Sequence, residues 1–262
     1  MDKQRLTELA RDYVENSEDN YISKDIAISE DVVGMKIFEA PLLSFGSADD
    51  EYFTLLKQPS VIGEHFMQPK DWLPNSRTVI SFFLPFTEVV KTSNTRDMSW
   101  PSIEWLHARV EGQALVNKLC MYLRSVLVSE GYDSVVPALD QRYWSAHFTS
   151  NWSERHVAFV CGLGTFGLSK GLITQKGIAG RLGSIVTELY LPPDKREYED
   201  IYEYCSMCGS CAKNCPANAI SIENGKIHDP CSAFLRKTGE KHKPRTGCGK
   251  CQVGVPCESR IP

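Results

Sequence analysis

The sequence predicts a mixed α/β (α+β) chain that ends in a small cysteine-rich module, and three stretches predict it. Thr78 to Leu84 is a nearly unbroken apolar run, β-branched and aromatic, held between polar turns and Pro85, the pattern of a strand buried on both faces. Ser102 opens a long helical stretch closed by Gly131, with the polar cap and terminal glycine that helices favour. Cys205-Ser-Met-Cys208-Gly-Ser-Cys211-Ala-Lys-Asn-Cys215-Pro216 then gathers four cysteines within eleven residues.

Residues 3–16 read as an amphipathic helix, with Leu6, Leu9, Ala10, Tyr13 and Val14 at helical spacing. Ile22 to Ile37 reads as short strands or loops. Ser44 to Asp50 is rich in turn formers, and its acidic pair fits a solvated loop. Lys91 to Pro101 is a polar loop. In the long helix, Ile103, Leu106, Val110, Ala114, Leu119, Leu123, Val126 and Leu127 form the expected buried stripe. Cys120 lies beside it as a core thiol, and His107 and Arg109 are expected on the exposed face. Val135 to Ser150 reads as strand or loop.

Cys161-Gly-Leu-Gly-Thr-Phe-Gly167 contains G-x-G-x-x-G. A dinucleotide site needs a strand before that motif and a helix after it. Glycines at 171, 177, 180 and 183 break the following residues, so the stretch reads instead as backbone that lies close to a flat cofactor. Gly162, Gly164 and Gly167 would supply the close approach. Leu163, Thr165, Phe166 and Leu168 would line it, and Thr149 and Ser150 would hydrogen-bond its polar edge. Pro192-Pro193 and the charged run from Asp194 to Glu203 mark a boundary, giving units 1–193 and 194–262. Ala217 to Ile222 turns at Asn224-Gly225, and Lys237 to Gly247 reads as a basic loop.

The cysteine run is C-x2-C-x2-C-x3-C-P, the bacterial ferredoxin spacing for [4Fe-4S] clusters. Three thiolates two residues apart cap three corners of one cubane, while the fourth serves a second cluster. The tail supplies the missing four: Cys231, Cys248, Cys251 and Cys257. The expected sets are Cys205, Cys208, Cys211 and Cys257 for one cluster, and Cys215, Cys231, Cys248 and Cys251 for the other. CxxC pairs also bind zinc, but the fused run favours iron–sulfur. Thiols this close in a chain that opens without a secretory signal point to metal rather than disulfides.

The chain has 262 residues, 42% of them hydrophobic, and a net charge of −4. From Cys205 onward nine Lys/Arg face four Asp/Glu, a balance of +5 that leaves −9 on the preceding residues. The basic tail reads as compensation for negative clusters, and the acidic body disfavours a nucleic-acid partner. No apolar run reaches membrane-spanning length, so a soluble cytoplasmic protein is expected.

With both motif stretches in hand, the chain resembles epoxyqueuosine reductase and its relatives, corrinoid-dependent iron–sulfur proteins akin to reductive dehalogenases. The matching pieces are Trp72 to Ile80, Glu154 to Gly167, Cys205 to Pro216 and Cys248-Gly-Lys-Cys-Gln252. The resemblance implies a modified nitroreductase-like domain holding cobalamin beside a two-cluster ferredoxin-like module. It implies an oxidoreductase that takes electrons from a low-potential donor such as ferredoxin or flavodoxin and acts on a small substrate. The family's tRNA-modifying members carry a catalytic Asp six residues before the pair that is Glu154-Arg155 here, and this chain has Phe148 there. Leu168 stands where the family has Lys, and no helical-repeat tail follows. These departures make tRNA an unexpected substrate and leave the catalytic residue unassigned. Two alternatives remain: a non-catalytic partner that delivers electrons to a corrinoid protein, and a reductase with flavin mononucleotide in place of cobalamin.

Overall fold

The computed structural model describes all 262 residues. Helix α1 (Lys3–Asn16) buries Leu6, Ala10 and Val14 four residues apart, and the Asp2 side chain caps it by accepting from the Arg5 N–H. Residues 22–37 are irregular, with an isolated bridge from Tyr21 to Lys36. The first four residues of the segment expected as turn-rich, Ser44 to Ser47, lie in strand β1 (Leu42–Ser47), and the turn is confined to the residues that follow. The strand's serines and glycine are weak strand formers, but each residue pairs with a neighbouring strand, and tertiary pairing overrides local preference. Helices α2 (Glu51–Leu55) and α3 (Pro69–Trp72) are single turns leading to that neighbour, β2 (Thr78–Pro85), which is buried along its whole length as expected.

The first residues of the expected polar loop lie in helix α4 (Glu88–Ser93), with Lys91 buried. Helix α5 (Ile103–Ser129) is capped by the Ser102 hydroxyl, and Gly131 follows it at φ +87°. Leu106, Leu119, Leu123 and Leu127 are buried as expected, but Ile103 and Val110 are 37% and 38% exposed. Trp105, His107, Ala108, Leu115 and Val116 are buried in their place. The stripe is displaced because the first half of α5 is covered on a second side by the C-terminal segment, where Arg109 bonds Thr246 and Trp105 lies against Gly249.

After α5 come β3 (Ser134–Val135), the hairpin β4 (Ser145–Ala146) and β5 (Thr149–Ser150), helix α6 (Glu154–Val160), the hairpin β6 (Gly164–Phe166) and β7 (Leu172–Thr174), and β8 (Gly180–Thr187). The main sheet runs β1-β2-β8-β3 and is antiparallel throughout, with Ser81 opposite both Ser44 and Ser184. This is a mixed α/β fold. Alternate residues of β2 feed opposite layers: Ile80, Phe82 and Leu84 pack with α1 and α5, while Val79 packs with α6 and Trp152. Burial on both faces is why the run carries no polar alternation.

The C-terminal segment holds α7 (Ser210–Lys213), the hairpin β9 (Ile220–Ser221) and β10 (Gly225–Lys226), and α8 (His228–Lys241). The hairpin turns at the expected Asn224-Gly225. The expected basic loop begins inside α8, because residues 237–241 continue a helix whose Thr238 is buried. Val253 reaches the core around α5, and Val255 packs on Ile173 and Ile178. No helix is long and apolar enough to cross a membrane.

Candidate iron–sulfur centre

The four-cysteine run bends through left-handed residues. Met207 and Gly209 have φ +51° and +73°, and Asn218 follows at +48°. Such a backbone turns successive thiols toward one side. Cys205, Cys208, Cys211 and Cys257 line one cavity together with Leu168, Ile173, Ile178 and Val255. Cys215, Cys231, Cys248 and Cys251 line a second cavity of about 150 Å³. These are the two sets that the spacing implied. Burial pushes the Cys257 thiol up to about 12, with Cys205, Cys211 and Cys208 acting in the same direction. Burial likewise pushes Cys248 up to about 12, reinforced by Cys251, Cys231 and Cys215. Cys211 is influenced by Cys251 as well as by its own set, so the two sites are neighbours.

Cys257 is placed by the tail rather than by its own run. Ile178 N–H donates to Cys257 O at 2.9 Å, and Ala179 N–H donates to Glu258 O at 3.2 Å. The turn between β7 and β8 thereby holds the fourth ligand of the first set. In the second set, Ala219 N–H donates to Cys215 Sγ at 3.3 Å, the kind of bond that tunes a cluster sulfur.

The second cavity is also lined by Arg109, Arg181, Lys226 and Lys250; of these four cations the sequence drew attention only to Arg109, and placed it on the exposed face. Arg109 Nη1 donates to Thr246 O at 3.0 Å, Arg181 Nη2 donates to Gln113 Oε1, and Lys250 Nζ donates to Asn94 O at 2.6 Å and Oδ1 at 2.9 Å. These partners are all neutral, and Arg181 Nε is buried with no partner. Burial pushes the Arg181 guanidinium down to about 10, with Arg109 acting in the same direction. An anionic group beside these residues satisfies charge that the chain leaves uncompensated, which fits a cluster with four thiolates. Arg109 and Gln113 stand one helical turn apart on α5, the one spacing that could have marked them in advance.

The middle of the glycine stretch packs on the chain itself. Helix α6 precedes the stretch and strand β6 lies within it, with no helix after it, unlike a dinucleotide site. A Cβ on Gly164 would lie 1.9 Å from Ile173 O, so its close approach is to the chain's own strand β7. Gly162 sits at φ +95° in the turn after α6. Leu163 and Phe166 belong to the core, and Thr165 Oγ1 is buried, accepting from Tyr204 N–H at 2.9 Å. Thr149 bonds His65 across 2.7 Å, and the Ser150 hydroxyl donates to Trp152 O at 2.6 Å. Gly167 and Leu168 line the cavity formed by Cys205, Cys208, Cys211 and Cys257.

A second meeting point lies at the tip of the β4–β5 hairpin. His147 and Phe148 take φ +48° and +67°, and the Phe148 ring stacks on His228 at 5.1 Å and 15°. Arg155 Nη1 donates to Lys170 O at 2.6 Å close by. Burial lowers the His228 pKa, and Lys170, Lys226 and Arg155 lower it further. Glu154 points the other way. Its Oε2 is buried without a partner, and burial pushes the carboxyl up to about 7 against the lowering effect of Ser184 and Trp152. His107, expected on a surface, is fully buried and receives the Ile28 N–H on Nε2.

Comparison with known proteins agrees with this geometry. Residues 198–221 match the 4Fe-4S binding domain family. Over 112 residues the chain is 38% identical to a tetrachloroethene reductive dehalogenase of Desulfitobacterium hafniense, covering 40% of this chain and 20% of that protein. The chain thus spans about a fifth of the length of the curated relatives it matches. In fold it is similar to an epoxyqueuosine reductase (TM-score 0.55, 18% identity, 97% of this chain and 66% of the other). It is also similar to the catabolic reductive dehalogenase NpRdhA (TM-score 0.58, 14% identity, 84% and 30%). The resemblance read from the cysteine run and the Glu154–Gly167 stretch therefore holds: the chain is similar in sequence to reductive dehalogenases, shares a fold with them and with epoxyqueuosine reductase, and carries a 4Fe-4S binding domain.

Proposed function

We propose that this chain is an iron–sulfur reductase that passes low-potential electrons through two [4Fe-4S] clusters to a cobalamin acting on a small substrate. The observation that carries the two-cluster part is the partition of eight cysteines into two neighbouring cavities of four. Cys205, Cys208, Cys211 and Cys257 hold one cluster, and Cys215, Cys231, Cys248 and Cys251 hold the other. Each cluster supplies one-electron transfer. The chain's own part is to fix the thiolates, exclude water from the Cys248 side and supply cations beside the second set. Residues 194–262 act as the ferredoxin-like module, delivering electrons received from a small donor protein.

The cobalamin part is supported by the family resemblance. The residues proposed to hold it are the nine named from the sequence, of which Gly164 meets Ile173 O of the chain itself, and no step is routed through them. Phe148 at the family's Asp position argues for a substrate other than tRNA. Anaerobic reconstitution tests the whole reading. About eight iron and eight sulfide per chain are expected from two four-iron clusters; about four iron, or zinc, refutes two clusters. Calorimetric titration with cobalamin, and with flavin mononucleotide in parallel, then tests the acceptor. Binding of flavin alone selects the flavin-dependent reductase, and binding of neither leaves an electron-delivery protein.

A further inference from the structure

We propose that the two cluster sites are electrostatically unequal, and that Arg109 and Arg181 give the Cys215–Cys231–Cys248–Cys251 site the higher reduction potential. This rests on the two-cluster reading above. The cavity of the Cys205 set has no charged side chain in its lining; Leu168, Ile173, Ile178 and Val255 face it. The cavity of the Cys215 set is lined by Arg109, Arg181, Lys226 and Lys250 and by no carboxylate. Arg109, Arg181 and Lys250 hydrogen-bond only to carbonyl and amide oxygens, and Arg181 Nε has no partner at all. Their charge is therefore not spent on an ion pair.

Reduction adds one electron, and so one negative charge, to a cluster that is already anionic with its thiolates. A neighbouring cation stabilises the reduced form more than the oxidised form, which raises the potential, and local charge and solvent exposure are the levers that set it. A low-dielectric surrounding strengthens that attraction. Around the Cys205 set, apolar neighbours give the added charge no such partner. Exposure of Cys208 acts in the opposite direction by hydrating one sulfur. Four cations on a single cavity outweigh that partial hydration. The first electron entering the chain accordingly rests on the Cys215 set, and the Cys205 set is reduced only by a stronger donor. Arg109 and Arg181 are positioning residues here: they hold charge and touch no substrate.

The test is an anaerobic redox titration of the reconstituted full chain with dithionite and mediators, followed by electron paramagnetic resonance. Two one-electron steps at least tenfold apart in equilibrium constant are expected, about 59 mV for a one-electron couple. R109Q and R181Q should each move the upper step down by threefold or more and leave the lower step in place. R109K and R181K should restore it, which a purely structural role would not require. R11Q, which removes an exposed charge on α1, should move neither. Coincident steps in the wild-type chain overturn the proposal without any variant, as does movement of the lower step alone. Iron content separates the two readings: about eight iron with coincident steps refutes only the inequality, whereas iron near zero refutes the clusters themselves.

Discussion

Gly177 holds the tail that delivers Cys257, and its replacement by alanine should cost the protein one cluster and spare the other. Gly177 has φ +80°, and a Cβ there would lie 2.2 Å from Glu258 O, 2.4 Å from its carbonyl carbon and 2.4 Å from Ser259 N. The left-handed conformation costs a residue with a Cβ about 1–2 kcal/mol. Forcing an extra methyl against backbone adds about 1–3 kcal/mol, because those atoms have no rotamer by which to yield. The tail is docked at this turn by two donors, Ile178 N–H and Ala179 N–H, worth about 1 kcal/mol each. The strain is as large as those two bonds, so the turn releases the backbone at Cys257 and Glu258 and Cys257 leaves its place in the set, while Val253 and Val255 keep the preceding residues docked. In Gly177→Ala, iron after anaerobic reconstitution should fall from about eight to about four per chain, with the remaining signal from the Cys215 set. Gly131→Ala is the control. Gly131 has a similar φ of +87° but meets nothing within 4 Å, so it should cost only the conformational strain and leave iron unchanged. Full iron content and wild-type stability in Gly177→Ala would refute the reasoning.

Glu154 ionises in the folded chain only at about pH 7, against 4.5 ordinarily; the folded state binds its proton more tightly than the unfolded state, so stability falls as pH rises from about 4.5 to 7. E154Q should remove that fall and gain up to about 3 kcal/mol at pH 8, at about 1.4 kcal/mol per pH unit; urea melts with parallel pH dependence in both proteins would contradict it. C257A should remove the cluster of the Cys205 set while C248A removes the other, and spectra showing the reverse would overturn the pairing. G164V should disrupt the β6–β7 hairpin through the Ile173 carbonyl and lower stability by about 3 kcal/mol or more, even in protein given no cofactor. Unchanged thermal stability in that variant would return Gly164 to a cofactor role.

The cysteine sets, the buried strand β2, helix α1 and the span of α5 were legible in the chain alone, because each rests on local spacing. A cubane demands thiolates at fixed intervals along a tight loop, and burial on both faces erases polar alternation from Thr78 to Leu84. What spacing could not reveal was which surfaces meet. Ser44 to Ser47 looked like part of a turn until β2 paired with them. The glycines of 162–167 looked like room for a cofactor, but Gly164 is small because Ile173 O occupies the place of its Cβ. Arg109 looked like a solvated helix residue. Only packing of α5 on β8 brings it beside Arg181, a residue 72 positions away in the chain, and only the C-terminal segment folded over both puts the second cysteine set beside them. Ligand identity is carried by side-chain chemistry and interval, which sequence holds directly. The charge around a ligand is a sum over residues remote in sequence, and only the folded chain performs that sum.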